Sequence, residues 1–288
     1  MGLTRTTEET RPRVHRFLDA LADPCRPSIE AADVAVVVAH PDDETIGCGA
    51  LLPRLRGVTL VLVTDGAPRN LVDARRHGFA SAAACASARA HELGQALSIA
   101  GVPSAARVTF GIPDQETAFA LRKLTDRLAA LFAARDTRFV LTHAFEGGHP
   151  DHDATAFAAH SAARLLRRQG QEMDVLEMPF YRAGPTGMVV QRFLARPDCA
   201  ETVVPLSDEE QASKRRMIAA HVTQRDTLAP FGVEAERYRR APDYDFAAPP
   251  TEGGLLYERY DWGMSGDRWR ALVAEAQRDL AFGAAPCA

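Results

Sequence analysis

The sequence lacks the features that mark several classes of protein. No apolar run approaches the roughly 20 residues of a transmembrane helix, and the polar stretch 1–32 does not have the pattern of a secretory signal. Positive charge is not in excess, because the formal net charge is -4, so we expect no nucleic-acid partner. The five cysteines form no CxxC pair and are odd in number, which favours reduced thiols and a cytoplasmic location.

The chain has the composition of a globular protein with a sizeable core, with 46% hydrophobic and 25% charged residues in a total of 288. Strand-like and helix-like segments alternate, which predicts an α/β fold with a mainly parallel sheet covered on both sides. The predicted strands are 34–39, 58–64, 107–111, 138–143 and 174–180, and the predicted helices are 81–100, 116–135, 154–169, 207–220 and 266–282. Beyond Tyr181 the alternation weakens. We therefore predict a single domain over 1–288, with a core at about 33–224 and a C-terminal lid and terminal helix over 225–288.

The first predicted strand leads directly into a cluster of acids. Val34–Ala39 are small or β-branched and are typical of a strand buried on both faces. His40-Pro41-Asp42-Asp43-Glu44 follows at once, and Gly47 and Gly49 then predict a helix that opens there and runs to about Arg56. An imidazole and three carboxylates thus follow a buried strand, at the edge where open α/β sheets bind ligands.

A second cluster, Glu146-Gly147-Gly148-His149-Pro150-Asp151-His152-Asp153, follows the fourth predicted strand. Both clusters come after parallel strands, so we expect them at the same edge of the sheet. Carboxylates beside a buried strand need a cation to offset their charge, and nitrogen and carboxylate ligands suit zinc or ferrous iron. We therefore predict a metal site. Its candidate ligands are His40, either Asp42 or Asp43, and either His149 or His152.

The two adjacent acids of the first cluster can take different chemical roles, and so can the two histidines of the second cluster. One of the two adjacent acids binds the metal, while the other accepts a proton from the reacting water. One of the two histidines is a ligand, while the other, in its protonated form, donates to an oxyanion. Asp151 lies between them in sequence and would orient that donor imidazole and raise its pKa by its negative charge. These roles predict metal-assisted hydrolysis of an acyl bond.

The two clusters resemble the signature motifs of the PIG-L/LmbE-like deacetylases, a family that includes N-acetylglucosaminyl-phosphatidylinositol and mycothiol-pathway deacetylases. The resemblance extends from about Val34 to Gln224. Supporting segments are Thr64-Asp65-Gly66, Arg89-x-x-Glu92, Pro113-Asp114 and Lys214…His221-Val222-Thr223-Gln224, the last with threonine where the family has serine. Residues before 30 and after about 225 lie outside the resemblance, and we expect them to determine substrate identity.

The resemblance implies a role for each residue of the site. His40, Asp43 and His152 would bind the metal, Asp42 would be the general base, and His149, paired with Asp151, the electrophilic or acid partner. The positions assigned to the substrate side are Glu44, Asp65, Arg89 and His221. The family implies a Rossmann-like three-layer sandwich, zinc with ferrous iron as the alternative, an N-acetylated sugar or sugar conjugate as substrate, and assembly into homo-oligomers.

Other interpretations of the sequence were weighed against this one. Gly47-Cys48-Gly49 after a strand is not a dinucleotide site, because the third glycine is missing and three acids would repel a pyrophosphate. An amidase with a non-sugar substrate and a metal-binding module without turnover remain as alternatives. Aromatic residues of the C-terminal part would either stack on a sugar ring or pack the tail onto the body. These residues are Tyr238, Tyr244, Tyr257, Tyr260 and Trp262.

Overall fold

The computed structural model describes residues 12–252, 254–260 and 262–281. Over these residues the predicted alternation of strands and helices is confirmed. The strands are β1 (Ile29–Glu30), β2 (Val34–Val38), β3 (Leu55–Arg56), β4 (Thr59–Thr64), β5 (Arg107–Ile112), β6 (Phe139–His143), β7 (Asp174–Met178), β8 (Tyr181–Gly184), β9 (Gly187–Val190), β10 (Glu201–Pro205) and β11 (Ala235–Arg240). The helices are α1 (Arg13–Ala22), α2 (Asp43–Cys48), α3 (Val72–Arg76), α4 (Ala82–Ile99), α5 (Leu121–Ala134), α6 (Pro150–Arg168), α7 (Asp208–Ala220), α8 (Arg225–Leu228) and α9 (Gly266–Asp279). Short 3₁₀ helices span Leu52–Arg54, Ser104–Ala106, Thr117–Ala120, Val222–Gln224 and Leu256–Arg259.

The central sheet has seven strands in the order β10-β11-β7-β6-β2-β4-β5. The five strands from β7 to β5 are parallel, and β11 runs antiparallel to both β7 and β10. The chain begins at the centre with β2, moves outward through β4 to β5, and returns to the other side of β2 to add β6 and β7. The order reverses between β2 and β6, and sheets of this kind bind ligands in the crevice beyond the carboxyl ends of such strands.

Helices cover both faces of the sheet, so the fold has three layers. Alternate side chains of a strand point to opposite faces. Val34, Val36 and Val38 of β2 therefore join the apolar cluster formed with α1, α2, α4 and α7, while Ala35 and Val37 join the cluster formed with α5 and α6. Because both faces are buried, β2 needs apolar residues at every position, and that pattern made the strand predictable from the sequence.

The helix predicted from Gly47 to Arg56 is wrong in its bounds. The helix α2 begins at Asp43, because Asp43 and Glu44 form its first turn, where carboxylates interact favourably with the helix dipole. Gly47 lies inside the helix, and a Cβ at this position would come within 2.8 Å of Sδ of Met178 on β7. The acidic motif therefore starts the helix itself, which places Asp43 on a rigid element.

The predicted boundary between core and lid at residue 225 is also wrong, because β11 belongs to the central sheet. This strand pairs with β10 and β7, with Arg239 opposite Glu177. Nε of Arg239 donates to Oε2 of the buried Glu177 at 2.8 Å. Four of the six residues of β11 are charged, so its apolar pattern is too weak to indicate a strand, and only tertiary pairing makes it one.

Beyond β11 the chain packs against the α5 and α6 side of the body. Leu255 and Tyr257 join Trp269 and Val273 of α9 in a third apolar cluster, which also contains Phe157 of α6. Within the described ranges, none of the helices combines the length and the apolar character that crossing a membrane requires.

A buried ion pair joins the acidic motif to the rest of the fold. Lys214 on α7 is fully buried, and its Nζ donates to the carbonyl oxygen of Ile46 at 2.8 Å and to Oε1 of Glu236 at 2.7 Å. The Glu236 carboxylate also accepts the backbone N–H groups of Ala50 and Leu51, at 2.8 and 3.2 Å. These bonds fix the carboxyl end of α2 against α7 and β11.

We expect Lys214→Met to lower the free energy of unfolding by about 3 kcal/mol, because Glu236 would stay buried without its counter-charge. Urea unfolding followed by circular dichroism measures the difference. Lys123→Met is the matched control, since Lys123 is exposed on α5 and its loss should change the free energy by less than about 0.5 kcal/mol. Equal effects of the two substitutions would contradict a structural role for the buried pair.

Candidate metal and catalytic site

Two loops at the switch point of the sheet carry the reactive side chains. His40 follows β2, and Asp42 then adopts a φ of 141° that lets the chain turn into α2. After β6, the second loop passes through Gly147 and Gly148, and a Cβ on Gly148 would come within 1.9 Å of the carbonyl oxygen of Tyr181. Only glycine fits there, so the loop can pass close to Tyr181 and deliver His149 and His152 to the same crevice.

The donor atoms of the three predicted ligands lie at nearly equal distances from one another. Nδ1 of His40 lies 3.2 Å from Nε2 of His152, and each of these nitrogens lies 3.3 Å from a different oxygen of the Asp43 carboxylate, Oδ2 for His40 and Oδ1 for His152. Ligands held about 2.1 Å from a tetrahedral centre are separated by about 3.4 Å, so these separations match those between the ligands of such a site. The backbone N–H of His40 also donates to Asp43 at 2.7 Å, which fixes the carboxylate in place.

The charge around these atoms also fits a cation. Asp42, Asp43, Asp114 and Asp151 are all buried, and the guanidinium of Arg89 faces two of them. Buried carboxylates are costly unless they are paired, and a divalent ion among them would offset the remaining negative charge. The residues present therefore fit a metal by distance, donor type and charge.

A second group of possible ligand atoms also includes His40, but its atoms lie farther apart. Nε2 of His40 lies 3.2 Å from Oδ1 of Asp114, and that oxygen lies 4.0 Å from Nε2 of His149. The longer separation exceeds the edge of a tetrahedral site. The geometry therefore favours His40, Asp43 and His152 as the ligand set over His40, Asp114 and His149.

The Asp151 carboxylate does not pair with His149 as the sequence analysis predicted, and Asp151 contacts that ring through its backbone N–H. Its carboxylate lies 3.3 Å from Nε2 of His40, and it also accepts the backbone N–H groups of Gln115 and Thr117 at 2.6 and 3.1 Å. A carboxylate on the far nitrogen of a ligand histidine fixes the orientation of that ring and raises its basicity. The prediction of a donor pair was wrong because the segment after β5 brings Gln115 and Thr117 over Asp151, an effect of tertiary structure that sequence proximity does not reveal.

His149 is set up as a neutral hydrogen-bond donor. As the N-cap residue of α6, its Nδ1 accepts the backbone N–H of Asp151 at 3.1 Å, so the proton of the neutral ring lies on Nε2. Burial lowers the pKa of His149 well below its ordinary value, and the neighbouring His40 ring lowers it further. The expected rise in the pKa of this imidazole is therefore wrong, and its donor is the N–H of a neutral ring.

The two adjacent acids have different surroundings. Burial raises the pKa of Asp42 to about 7, against the opposing effect of Arg89, whose guanidinium donates to Oδ2 of Asp42 at 3.0 Å. Burial also acts to raise the pKa of Asp43, but the His152 and His143 rings outweigh it and lower that pKa well below its ordinary value. Asp43 is thus held as a carboxylate among imidazoles, while Asp42 is able to take up a proton near neutral pH.

Three of the four residues predicted on the substrate side lie behind Asp42 and hold it in place. Arg89 also donates to the carbonyl oxygen of Pro41 at 3.1 Å. Glu44 is fully buried and accepts the backbone N–H of Asp42 at 3.0 Å, and His221, which is 1% exposed, lies 3.6 Å from Glu44. This burial favours a positioning role over substrate contact for Glu44, Arg89 and His221.

The fourth residue, Asp65, is more accessible than the other three. Its side chain is partly exposed and pairs with Arg69 at 2.6 Å in the loop that follows β4. Asp65 is accordingly the one predicted substrate-side residue that the described structure leaves accessible.

Sequence reasoning assigned Asp114 no site role beyond its place in the Pro113-Asp114 segment, and it left His143 open between supporting the site and packing the core. Asp114 contacts His40 and Arg89 from the loop after β5, and it could have been found because it also follows a parallel strand. His143 ends β6, where its ring stacks on His152 at 4.0 Å and its Nε2 accepts the N–H of Ala39 at 2.9 Å. That backing role depends on packing, which the sequence does not reveal.

The C-terminal segment closes over the cleft. Leu256 donates its backbone N–H to the carbonyl oxygen of Gly147 at 2.7 Å, and the Trp262 ring lies 4.5 Å from that of His149. The five residues His40, Asp42, Asp43, His149 and His152 are between 3% and 7% exposed. The reactive groups are therefore shielded from bulk water.

Comparison with known proteins agrees with this fold. The PIG-L family model, described as GlcNAc-PI de-N-acetylase, matches residues 35–163, a stretch that runs from β2 into α6 and contains both motifs. Among proteins of curated function, none matches the sequence significantly.

Solved deacetylase structures share the fold. The deacetylase of an antimicrobial pseudoaglycone has a TM-score of 0.56 at 19% identity, with 73% of this chain and 97% of that chain covered. A deacetylase of teicoplanin biosynthesis, solved with teicoplanin, has a TM-score of 0.57 at 17% identity, with coverage of 74% and 98%. The N,N'-diacetylchitobiose deacetylase from Pyrococcus horikoshii has a TM-score of 0.54 at 17% identity, with coverage of 81% and 94%. At these identities the likeness establishes the fold alone.

Proposed function

We propose that this protein is a metal-dependent N-deacetylase that removes an acetyl or related acyl group from an amino sugar or a sugar conjugate. The observation that carries the proposal is the cluster of donor atoms from His40, Asp43 and His152, 3.2–3.3 Å apart, with Asp42 and His149 beside it. Metal ligands, a separate base and a separate hydrogen-bond donor are what hydrolysis of an amide requires. The match of residues 35–163 to the PIG-L family model supports the same reaction class.

We assign the metal to His40, Asp43 and His152, and we propose zinc as the ion, with ferrous iron as the alternative. A bound zinc ion would supply Lewis-acid chemistry, polarising the acyl carbonyl and lowering the pKa of water at the site. Asp151 and Asp114 lie 3.3 and 3.2 Å from Nε2 of His40 and would fix that ring for ligation.

The remaining residues would move the proton and bind the developing charge. Asp42 would accept a proton from the attacking water and return it to the nitrogen of the leaving amine. Nε2–H of His149 would donate to the acyl oxygen as negative charge develops on it. Arg89 would hold the Asp42 carboxylate in position through their 3.0 Å contact. The cover formed by the C-terminal segment would exclude competing water, which strengthens each of these interactions.

The names of similar structures favour a sugar substrate. The enzyme from Pyrococcus horikoshii is a deacetylase of N,N'-diacetylchitobiose, an N-acetylated sugar, and the teicoplanin enzyme was solved with teicoplanin. A teicoplanin deacetylase is also described in a zinc-inhibited form. Zinc should therefore be titrated into the protein rather than added in excess.

We expect the purified protein to release acetate from N-acetylated amino sugars, to lose that activity after chelation, and to regain it when about one equivalent of zinc or ferrous iron is restored. Acetate release is measured across N-acetylglucosamine, N,N'-diacetylchitobiose and non-sugar N-acetyl amides. Turnover of the non-sugar amides alone would make the protein an amidase of another substrate class. Metal binding without release from any substrate would contradict the enzymatic proposal.

A further inference from the structure

Two aromatic side chains of the C-terminal segment form a surface next to His149. The rings of Tyr260 and Trp262 stack with centroids 4.5 Å apart and planes inclined by 13°, and Trp262 contacts the His149 ring at the same centroid distance. Tyr260 is 48% exposed. Tyr238 and Tyr257 differ from this pair because both are fully buried in apolar clusters. The structure thus separates the aromatics that pack the fold from those at the cleft.

The position of this aromatic surface is fixed by the loop that carries the second motif. The segment is held by the bond from Leu256 to Gly147, and the side chain of Leu255 packs so closely that a Cβ on Gly147 would come within 2.5 Å of it. Burial of Tyr257 anchors the same segment in the core. The backbone that leads into Tyr260 is therefore held against the loop that carries His149.

Asp114 approaches the same imidazole from the loop after β5, and its neighbour Gln115 is hydrogen-bonded to Asn70 of the loop after β4. Asp114 lies 4.0 Å from Nε2 of His149, and the next residue, Gln115, has a φ of 70° and is partly exposed. Nδ2 of the exposed Asn70 donates to Oε1 of Gln115 at 3.5 Å. Strained backbone of this kind persists where the surrounding structure holds it, and it clusters at functional sites. Here the backbone N–H of Gln115 is held by Asp151 at 2.6 Å.

We propose that Tyr260 and Trp262 form the subsite for the pyranose ring whose acylamino group is hydrolysed, with Asn70 and Gln115 facing its hydroxyl groups. This inference rests on the proposed deacetylase function and names the part of the substrate that the subsite binds. A pyranose has an apolar face of C–H groups and a polar edge of hydroxyls, which match an aromatic surface and a polar rim. An aryl amide would use the aromatic surface but leave the rim unpaired, and an acyclic amide would use neither.

The kinetic test compares substrates that do and do not carry a ring. We expect Trp262→Ala to raise KM for N,N'-diacetylchitobiose about tenfold, with little change in kcat and no change for the acyclic amide N-acetylethanolamine. Tyr257→Phe is the matched control, because it alters a buried residue of the same segment and should leave both parameters unchanged. A fall in kcat shared by both substrates would mean that Trp262 only supports His149, and it would overturn the subsite.

A binding test on chelated protein separates this inference from the proposed reaction. The chain has two tryptophans, and Trp269 is 2% exposed with its indole N–H bonded to Phe246 at 3.0 Å. We expect N-acetylglucosamine to change tryptophan fluorescence saturably in the wild type and not in Trp262→Phe, with a much smaller response to N-acetylphenylalanine amide.

Each outcome of the two tests bears on one proposal. Sugar binding without acetate release would support the subsite while contradicting the deacetylase. Acetate release from sugars, with no fluorescence response and an unaltered KM in Trp262→Ala, would overturn the subsite while the deacetylase stands. An equal response to the aryl amide and the sugar would overturn the assignment to a pyranose.

Discussion

Asp42→Asn is expected to keep its bound metal and to lose activity by about 10²–10⁴-fold, or roughly 3–5 kcal/mol of barrier. Asparagine keeps the shape of the side chain and a hydrogen bond, but it cannot accept the proton of the attacking water or return it to the leaving amine. Any residual rate would come from the metal and from the donor N–H of His149. Metal content by elemental analysis, measured beside kcat on the same preparation, tests this separation of roles.

The fold should tolerate this substitution because Arg89 keeps other partners. Its guanidinium would keep its hydrogen bonds to the carbonyl oxygens of Pro41 and Gly66 and its ion pair with the Asp114 carboxylate, which lies 3.6 Å away. A thermal unfolding midpoint near that of the wild type is the control. If Asp42→Asn lost its metal while Asp43→Asn retained it, the roles of the two acids would have to be exchanged.

His152→Ala is expected to lower metal affinity by more than about 100-fold and to abolish turnover at stoichiometric metal. Loss of a residue that only supports a ligand costs about 10–100-fold in affinity, so loss of a ligand itself should cost more. Isothermal titration with zinc measures the affinity, and activity against zinc concentration shows whether extra metal restores turnover. Asp43→Asn should behave in the same way, with partial rescue by added metal.

Two further histidine variants test whether loss of the metal is specific to His152. His91→Ala is a control of the same residue type, because His91 is exposed on α4, and it should bind metal as the wild type does. His149→Ala distinguishes the two donor groups around His40, since it should keep its metal and lose rate. If His149→Ala lost the metal and His152→Ala retained it, the ion would belong with Asp114 instead.

The sequence by itself determined the architecture of the core and which side chains meet at its switch point. β2, with apolar residues at every position, can only be a strand buried on both faces, and the parallel strands that follow bring both acidic motifs to one edge. Because that topology fixes where strand ends meet, His40, Asp43 and His152 were predicted to converge, and their donor atoms do lie 3.2–3.3 Å apart. Their role as ligands stays a prediction.

Tertiary structure alone decided which partner each polar group has. Asp151 lies two residues after His149, in the first turn of α6, yet its carboxylate faces His40. The loop after β5 holds that carboxylate with two backbone N–H groups. β11 is a strand because it pairs with β10 and β7, and Lys214 and Glu177 neutralise two of its charged residues. Short-range sequence patterns indicate burial and periodicity. Pairings between residues far apart in the chain depend instead on how the layers pack, and that packing also places Trp262 against His149.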